Sequence, residues 1–260
     1  MLLMKNRFFY RLLYQTRPAY LASFFKRLCG IHRQSLQVDG MAFWVDPVSN
    51  FGQSLLVNGG YEPELTGMVR SVLHEGGTFV DVGANEGWFT VVAGRAVGPK
   101  GRVLALEPQS RLQEVIRRNC ESNQIHNVTL FRTAVGSQTG TCPIYLTPDV
   151  NTGASGMQAS TKYKLPTEET PISPLSVLFE RAGIDHVDCL KMDIEGFEWD
   201  VIHGAEEIFS NHRVRHICME VHPTILRTRG FDVQNLISKM RKWGYRIEDH
   251  GKHLRCSVID

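Results

Sequence analysis

Short apolar runs alternate with amphipathic stretches along most of the chain after residue 76. Compact apolar runs bounded by turn residues predict buried strands, and apolar positions that recur every three or four residues predict helices. The predicted strands are Thr78–Val82, Arg102–Leu106, residues 128–135, Val187–Met192 and residues 214–221. The predicted helices are Trp88–Val97, Ser110–Ser122, Leu175–Ala182, residues 197–209 and residues 233–243. Such an alternation predicts a parallel sheet with helices on both faces.

Hairpin patterns flank this alternating region. Near the N-terminus, two short β-rich pieces surround Asp39-Gly40, a strong turn pair, and predict a small hairpin over residues 37–45. A helix is predicted from Pro63 to about residue 73. Near the C-terminus, residues 245–248 and 254–259 are joined by a turn at Gly251 and predict an antiparallel edge. The predicted fold is therefore α/β and Rossmann-like, with a mostly parallel seven-stranded sheet, an antiparallel edge hairpin and helices on both faces.

The composition divides the chain into a basic N-terminal segment, residues 1–58, and a main domain, residues 59–260. Within the main domain, residues 147–174 are rich in Thr, Ser, Gly, Asn and Pro and hold few large apolar residues. A connection of this length inside a compact domain is usually functional or disordered. We expect a long polar loop that folds as a lid over the carboxyl ends of the strands.

Residues 1–38 contain no Asp or Glu but seven basic residues, interleaved with apolar pairs. This pattern predicts one or two basic amphipathic helices broken near Pro18. The simplest interpretation is a cap whose apolar face packs on the main domain. A peripheral contact with an anionic membrane, a partner-binding segment or an organellar transit peptide are the alternatives. The basic residues are Lys5, Arg7, Arg11, Arg17, Lys26, Arg27 and Arg33.

The overall composition, 42% hydrophobic and 22% charged, is that of a globular protein. A net charge of +2 argues against nucleic-acid binding as the main function. Because apolar runs are too short, we expect no membrane-spanning helix. The six cysteines are dispersed without a Cys-x-x-Cys pair, which indicates a reducing, cytoplasmic compartment and no zinc site. The pattern gives no indication of the oligomeric state.

The sharpest motif is Asp81-Val82-Gly83-Ala84-Asn85-Glu86-Gly87, where the first main strand passes into its helix. Glycines there allow a tight turn, and the N–H groups at the start of the helix favour a ligand. The dinucleotide fingerprint G-x-G-x-x-G is not met, which disfavours an NAD-dependent oxidoreductase. Asp81 instead suits a cationic ligand, such as the amino group and sulfonium of S-adenosylmethionine.

Acidic residues end three further strands. Glu107 follows the second main strand, where a carboxylate can accept both hydroxyls of a ribose. Asp193 and Glu195 follow the fourth, and the period of two in the next strand places Glu220 and His222 on one face. Asp193, Glu195 and Glu220 could hold a divalent cation, although no metal is predicted, or the cluster could supply a general base.

Glu198 also belongs to this acidic stretch, and we expect it to be solvated or to cap a helix. Trp88 and Tyr61 suit either a cation–π contact with a sulfonium or, more simply, the apolar core.

Together these motifs resemble the FkbM-type methyltransferases. The resemblance covers roughly residues 60–251 and rests on the segments Tyr61-Glu62-Pro63, Phe79 to Gly87, Glu107-Pro108 and Lys191 to Gly196. It implies a Rossmann-like class I fold, S-adenosylmethionine as the methyl donor and methylation of a hydroxyl oxygen, often on a sugar or natural product. It further implies contacts with the donor's methionine end from Asp81, Gly83, Asn85 and Gly87, with its ribose from Glu107, with its adenine from Ala134-Val135, and a pocket border formed by Glu62 and Asp193.

Methyl transfer to an alcohol requires that the hydroxyl proton leave, so a positioned base is expected. His222 or Asp193 is the predicted base, with Glu220 orienting the imidazole ring of His222. The predicted acceptor is a small molecule or glycan: a sugar, a glycolipid or a natural product. An N- or carboxyl-methyltransferase with the same donor site and a non-catalytic binding module of the same fold are the alternatives.

Overall fold

The computed structural model describes residues 6–158 and 164–259. Its α-helices are numbered along the chain as α1 Arg7–Gln15, α2 Ala19–Leu28, α3 Asn50–Asn58, α4 Pro63–Val72, α5 Trp88–Val97, α6 Ser110–Ser122, α7 Leu175–Ala182, α8 Glu198–Gly204, α9 Glu206–Ser210, α10 Pro223–Thr228 and α11 Val233–Lys242. A short 3₁₀ helix spans Asp149–Ala154.

The strands are likewise numbered along the chain. They are β1 Gln34–Val38, β2 Met41–Val45, β3 Thr78–Val82, β4 Arg102–Leu106, β5 Val128–Phe131, β6 Ala134–Val135, β7 Gly140–Tyr145, β8 Thr167–Ser173, β9 Val187–Met192, β10 Val214–Glu220, β11 Tyr245–His250 and β12 His253–Val258.

Seven strands form the central sheet in the order β11-β12-β10-β9-β3-β4-β5. The five from β10 to β5 run parallel, while β12 pairs antiparallel with both β10 and β11. This confirms the predicted mostly parallel sheet with an antiparallel edge hairpin. The chain leaves β3 toward β4 and β5 and later returns to the other side of β3 at β9. Ligands bind at such a switch point, outside the carboxyl ends of the strands.

Apolar side chains cover both faces of this sheet, because successive residues of a strand point to opposite sides. In β3, for example, Val80 and Val82 belong to one apolar cluster, together with Phe179 of α7. Phe79 belongs to the opposite cluster, together with Phe89 of α5. The predicted three-layer arrangement of helix, sheet and helix is therefore confirmed.

The prediction of one strand over residues 128–135 is wrong. The chain leaves the central sheet after Phe131, and Ala134–Val135 pairs with β8 in a second sheet of order β6-β8-β7. Between them, the hydroxyl of Thr133 donates to the carbonyl oxygen of Pro171 at 3.1 Å and so joins the turn to the second sheet. The apolar residues on both sides of this turn hid the change of sheet.

The expectation of an irregular loop over residues 147–174 is also wrong. Asp149–Ala154 forms the 3₁₀ helix, and β8 pairs antiparallel with β7 over six residue pairs. The sequence pattern did not indicate β8 because its side chains are mostly polar. The hydrogen bonds that make it a strand are formed by backbone groups. Residues 159–163, part of the predicted lid, lie outside the described residues.

The helix predicted over residues 197–209 is interrupted, and two further helices were missed. Ala205 takes a non-helical conformation, φ −132° and ψ 33°, which separates α8 from α9. The neighbouring Gly204 lies so close to Ser137 that an added Cβ would be 2.4 Å from the Cα of that serine. Neither α3 nor α10 was predicted, although Ser49 caps α3 by accepting the N–H of Gly52.

The N-terminal segment forms two helices that separate near Pro18, as predicted, and the hairpin β1–β2 pairs around Asp39-Gly40. Phe43 of this hairpin packs against Trp88 in the main core. Residues 1–5 of the basic segment lie outside the described residues. Among the residues described, no helix is long and apolar enough to cross a bilayer.

Candidate active site

Four neighbouring strands, β10, β9, β3 and β4, end at the same edge of the central sheet. Because these strands are parallel, the polar residues that follow them are brought together there. The structure places at this edge Gly83 and Asn85 after β3, Glu107 after β4, Asp193 and Glu195 after β9, and Glu220 and His222 at the end of β10.

Gly83 is required by the backbone of β9. Its φ is +79°, and an ideal Cβ there would lie 2.0 Å from the carbonyl oxygen of Asp193. The N–H of Asp193 donates to the carbonyl oxygen of Val82 at 3.1 Å, which keeps the two strand ends together. Gly87 also has a positive φ, +84°, but it packs on Ile116 and does not line the cavities described below.

Asp81 lies behind the cavity wall. It is fully buried, accepts a hydrogen bond from the hydroxyl of Thr90 at 2.6 Å, and has its second oxygen 3.4 Å from Nζ of Lys191. The cation that Asp81 faces is therefore Lys191. The expected contact of Asp81 with a cationic ligand stays a prediction.

The sequence interpretation missed Lys191. Its side chain is 2% exposed, and its ammonium group donates to the carbonyl oxygen of Gly83 at 2.7 Å and lies 5.1 Å from the ring centroid of Phe89. Burial would lower the pKa of Lys191, but the charges of Asp81, Asp193 and Glu62 outweigh it and raise the pKa. Lys191 is thus a buried cation that balances the carboxylates at this edge. The sequence feature that could have identified Lys191 is its position as a lysine inside a mostly apolar strand.

A first cavity, with about 600 Å³ of empty space when its open mouth is included, lies at the ends of β3 and β4. Gly83, Asn85 and Asp193 border one side of it. A largely apolar part of its lining is formed by Leu106, Pro108, Ala134, Val135 and Ile144. The described part of the predicted lid contributes Gly153, Ser155, Gly156 and Met157 to the lining.

Glu107 stands at the end of β4 in this first cavity. It is only 2% exposed, and its two oxygens accept the backbone N–H groups of Asn85 at 2.7 Å and Gln109 at 3.0 Å. Burial raises the pKa of Glu107, and these two hydrogen bonds oppose that effect. Each carboxylate oxygen keeps a second lone pair for a further donor.

A second cavity, with about 560 Å³ of empty space when its open mouth is included, shares Asn85, Gly153, Asp193 and Glu195 with the first. Its other lining groups include Glu62, Glu220, His222 and Lys252, so it is rich in charge.

Glu62 is the unsatisfied acid of the second cavity. Its Oε2 atom is buried and has no hydrogen-bond partner within the described residues. Burial, followed by the charge of Asp193, raises the pKa of Glu62 to about 7. A buried carboxylate oxygen without a partner costs free energy and suits a donor or cation supplied by a ligand.

His222 stands among four carboxylates. Its Nδ1 is 2.9 Å from Glu198, and its Nε2 lies 3.6 Å from Glu195, 3.9 Å from Asp193 and 4.0 Å from Glu220. Burial favours the neutral ring, but the hydrogen bond to Glu198 and then the surrounding negative charges raise the pKa of His222 to about 9. The imidazole is therefore a cation at neutral pH.

Glu198, not Glu220, orients the imidazole ring. Glu198 is fully buried and also accepts the N–H of Gly196 at 3.0 Å, so the expectation of a solvated side chain is wrong. Glu220 instead lies 3.1 Å from Nζ of Lys252 and 3.7 Å from Nε2 of His253. Because Glu198 and His222 are 24 residues apart, no local pattern pointed to their contact.

Glu195 lines both cavities and also an open groove between α2 and residues 146–158 and 164–166. Burial raises the pKa of Glu195 to about 7, against the opposing charge of His222. A carboxylate with that pKa exchanges a proton readily near neutral pH.

Two overlapping groups in the described part of the chain have ligand atoms within 4.8 Å of one another: Asp193 with Glu195 and His222, and Glu62 with Asp193 and Glu220. A metal ion in the first group would have to displace the proton of His222, because metal ligands are deprotonated. The charge of that group is already partly balanced by the imidazolium. The predicted cation ligands Asp193, Glu195 and Glu220 do not form one group. Glu195 belongs to the first group, Glu220 to the second and Asp193 to both.

The two aromatic residues considered for a cation–π contact differ in position. Trp88 is 4% exposed, stacks on Phe43 with ring centroids 5.0 Å apart and donates from Nε1 to the hydroxyl of Thr66. It is a core residue. Tyr61 packs edge-on against Phe51 and also lines the second cavity.

A Rossmann-like sheet with this strand order, and an acid-bordered cavity at its switch point, defines the class I methyltransferase fold. The sequence model of the family described as "Methyltransferase FkbM domain" matches residues 81–247, more than half of the chain. The chain therefore belongs to this family of S-adenosylmethionine-dependent methyltransferases.

Similar proteins include two fungal ones. "Methyltransferase sdnD" of Sordaria araneosa is 27% identical over 192 residues, which cover 59% of this chain and 73% of that protein. "Methyltransferase 1" of Beauveria bassiana is 27% identical over 180 residues, covering 59% and 72% respectively. Among solved structures, a SAM-dependent O-methyltransferase of Thermotoga maritima is 13% identical with a TM-score of 0.48, covering 88% of this chain and 78% of that one.

Proposed function

We propose that the chain transfers a methyl group from S-adenosylmethionine to a hydroxyl oxygen of a sugar, glycolipid or natural-product acceptor. The observation that carries this proposal is the position of Glu195. Its carboxylate lies beside His222 at the meeting point of both cavities and the open groove. A base at that point is within reach of a donor in the cavities and of an acceptor in the groove.

The residues of the first cavity fit the donor. The apolar wall around Ala134 suits an adenine ring, and Glu107 retains acceptor capacity for ribose hydroxyls. Asn85 and Gly83 border the same space, and in the adjoining second cavity the unpartnered Oε2 of Glu62 suits the donor's ammonium group. When bound, the donor supplies a methyl carbon activated by a sulfonium and open to in-line displacement.

Asp81 and Gly87 act on this site indirectly in the proposed mechanism. Asp81 holds Lys191, whose ammonium group fixes the carbonyl oxygen of Gly83. Gly87 is the N-cap of α5 and supplies the positive φ, +84°, with which that helix starts. Both residues keep the turn after β3 in the shape that the donor cavity requires.

Glu195 accepts the acceptor's proton in this mechanism. His222 retains its own proton up to a pKa of about 9, so at neutral pH it is an imidazolium and not a base. Glu195, with a pKa of about 7, is ionised in a large fraction of molecules at that pH. His222 stabilises this carboxylate and that of Asp193, while Glu198 fixes the ring. A positioned base of this kind contributes about 10²–10⁴-fold to the rate.

A second candidate is methylation of an amine on the same donor site. The observation that favours it is the acidity of the second cavity, where Glu62, Asp193 and Glu220 would attract a protonated amine.

A single-turnover assay across matched acceptors separates the two candidates. Sugars, glycolipids and polyketide alcohols are compared with their amino analogues, and mass spectrometry records the gain of one methyl group. We expect methylation of a hydroxyl acceptor. Transfer to amino analogues alone would overturn the assignment to oxygen.

The variant Glu195→Gln tests the proposed base in the same assay. We expect a rate about 10²–10⁴-fold lower, with unchanged donor affinity by calorimetric titration. The control is Glu114→Gln, because Glu114 is an acid whose side chain is 74% exposed, on the surface of α6. A wild-type rate in Glu195→Gln would remove Glu195 from the mechanism.

A further inference from the structure

Large apolar side chains are exposed mainly at one place in the described part of the chain. Nine such side chains are exposed, and seven of them belong to α1 and α2. A surface patch of this kind marks an interaction site. The seven are Phe8, Phe9, Leu12, Tyr20, Phe24, Phe25 and Leu28.

The exposed apolar residues of α1 lie opposite its packed face. Tyr10 and Leu13 are buried against the domain, while Phe8 and Leu12, four residues apart, point outward with exposed fractions of 81% and 54%. Residues three or four apart lie on the same helix face. Helix α1 is therefore apolar on its outer face as well as on its inner one.

Helix α2 has the same organisation. Ala22 and Lys26 are buried on its inner face, whereas Tyr20, Phe24 and Leu28 form an outward stripe at intervals of four residues. Their exposed fractions are 59%, 58% and 72%.

Salt bridges hold α2 to the domain through its inner face. Lys26 is paired with Asp46 and with Asp149 of the 3₁₀ helix. Because these ion pairs and the buried apolar residues fix the inner face, the outer stripe is presented by a firmly attached helix and not by a free peptide.

The charges that flank the two outer faces are all positive. Arg7, Arg11, Arg17 and Arg27 are exposed, and residues 1–38 contain no Asp or Glu. Arg7 and Arg17 hydrogen-bond backbone carbonyl oxygens, which leaves their charges unneutralised. Apolar stripes flanked by arginines are typical of helices that lie in the headgroup region of an anionic bilayer.

We propose that the outer faces of α1 and α2 bind the surface of an anionic lipid bilayer. The charge pattern favours a bilayer over a second copy of the chain, because two copies joined through these faces would bring arginines together without acidic partners. Tyr20, Phe24 and Arg27 also form the rim of the open groove that reaches Glu195. In the bound orientation, the mouth of this groove lies at the bilayer surface.

Sedimentation with lipid vesicles tests this proposal without donor or acceptor, so its failure is distinct from a failure of the proposed function. We expect the full chain to bind vesicles of phosphatidylcholine mixed with phosphatidylglycerol, to bind pure phosphatidylcholine vesicles more weakly, and to lose affinity as salt is raised.

Two double variants dissect the surface. Phe24→Ser with Leu28→Ser should lower vesicle partitioning at least about tenfold, because both apolar contacts are lost. Its control is Ile259→Ser, a residue 63% exposed at the other end of the chain. Arg11→Gln with Arg27→Gln should lower partitioning to anionic vesicles by about tenfold or more. Its control is Arg241→Gln with Lys242→Gln, both exposed on α11.

Equal binding to neutral and anionic vesicles, or no binding to either, would overturn the proposal. Gel filtration over a range of protein concentrations tests whether a second copy of the chain, and not a bilayer, covers this surface. A dimer that Phe24→Ser with Leu28→Ser dissociates, in a chain that does not bind vesicles, would assign the surface to self-association instead. Far-UV circular dichroism of each variant verifies that the helices are retained.

Discussion

Substituting Gly83 by alanine tests how closely the ends of β3 and β9 approach each other. Gly83 has a φ of +79°, and an ideal Cβ there would lie 2.0 Å from the carbonyl oxygen of Asp193. Gly76 has nearly the same φ, +80°, but a Cβ there would meet nothing within 4 Å. Gly76→Ala is therefore a matched control, since it shares the backbone strain and lacks the collision.

The structure gives the expected magnitudes. A left-handed backbone conformation costs an alanine about 1–2 kcal/mol in either variant. In Gly83→Ala the two strand ends must also separate by roughly 1 Å, and overpacking of this kind costs about 1–3 kcal/mol. The hydrogen bond from Asp193 to Val82 is lost as well, at about 1 kcal/mol. We expect the free energy of unfolding to fall by about 3–6 kcal/mol in Gly83→Ala and by about 1–2 kcal/mol in Gly76→Ala.

Urea denaturation measures these two free energies, and calorimetric titration with S-adenosylmethionine measures the effect on the site. Moving Asp193 by about 1 Å should weaken donor binding by at least about tenfold, or slow transfer by up to about 10²-fold, while Gly76→Ala leaves both unchanged. Equal loss of stability in the two variants, together with equal donor binding, would refute the close approach of β3 and β9.

Three further predictions concern charge. Lys191→Met leaves the carboxylate of Asp81 buried without a cation and should lower the free energy of unfolding by about 3–5 kcal/mol; adding Asp81→Asn should restore most of it in urea denaturation. The pKa of His222, about 9 against about 6.5 when unfolded, makes its stabilisation complete below pH 6.5 and lost as the pH rises through 9. Its contribution of about 3 kcal/mol should be absent in His222→Asn, as urea denaturation across this pH range would show. Dialysis against EDTA should leave methyl transfer unchanged, and activity that falls and returns with Mg²⁺ would contradict this.

The central sheet could be predicted because its parallel strands are short, mostly apolar runs, as in Arg102–Leu106, and such runs suit a strand covered on both faces. The second sheet could not be predicted in the same way. Thr167–Ser173 has the polar composition of a loop, and only its backbone pairing with β7 makes it a strand. The turn at residues 132–133 was hidden because apolar residues continue on both sides of it.

The positions of the candidate site residues followed from where the strands end. Glu107, Asp193 and His222 lie at the carboxyl edge because each stands directly after a predicted strand. The side-chain contacts within the site could not be predicted from the sequence. The contact of Glu198 with His222, like that of Lys191 with Asp81, depends on side-chain directions in residues distant along the chain.

Calorimetric titration of the wild-type chain and of Glu107→Gln with S-adenosylmethionine tests the central claim, that the donor binds at the ends of β3 and β4. Wild type should bind the donor saturably at a single site. Glu107→Gln should bind about 10–100-fold more weakly, because hydrogen bonds to a charged acceptor are worth about 1.5–3 kcal/mol. Thermal unfolding verifies that this variant is folded, and Glu114→Gln serves as the control. Absence of saturable binding by the wild-type chain, or an unchanged affinity in folded Glu107→Gln, would contradict the account.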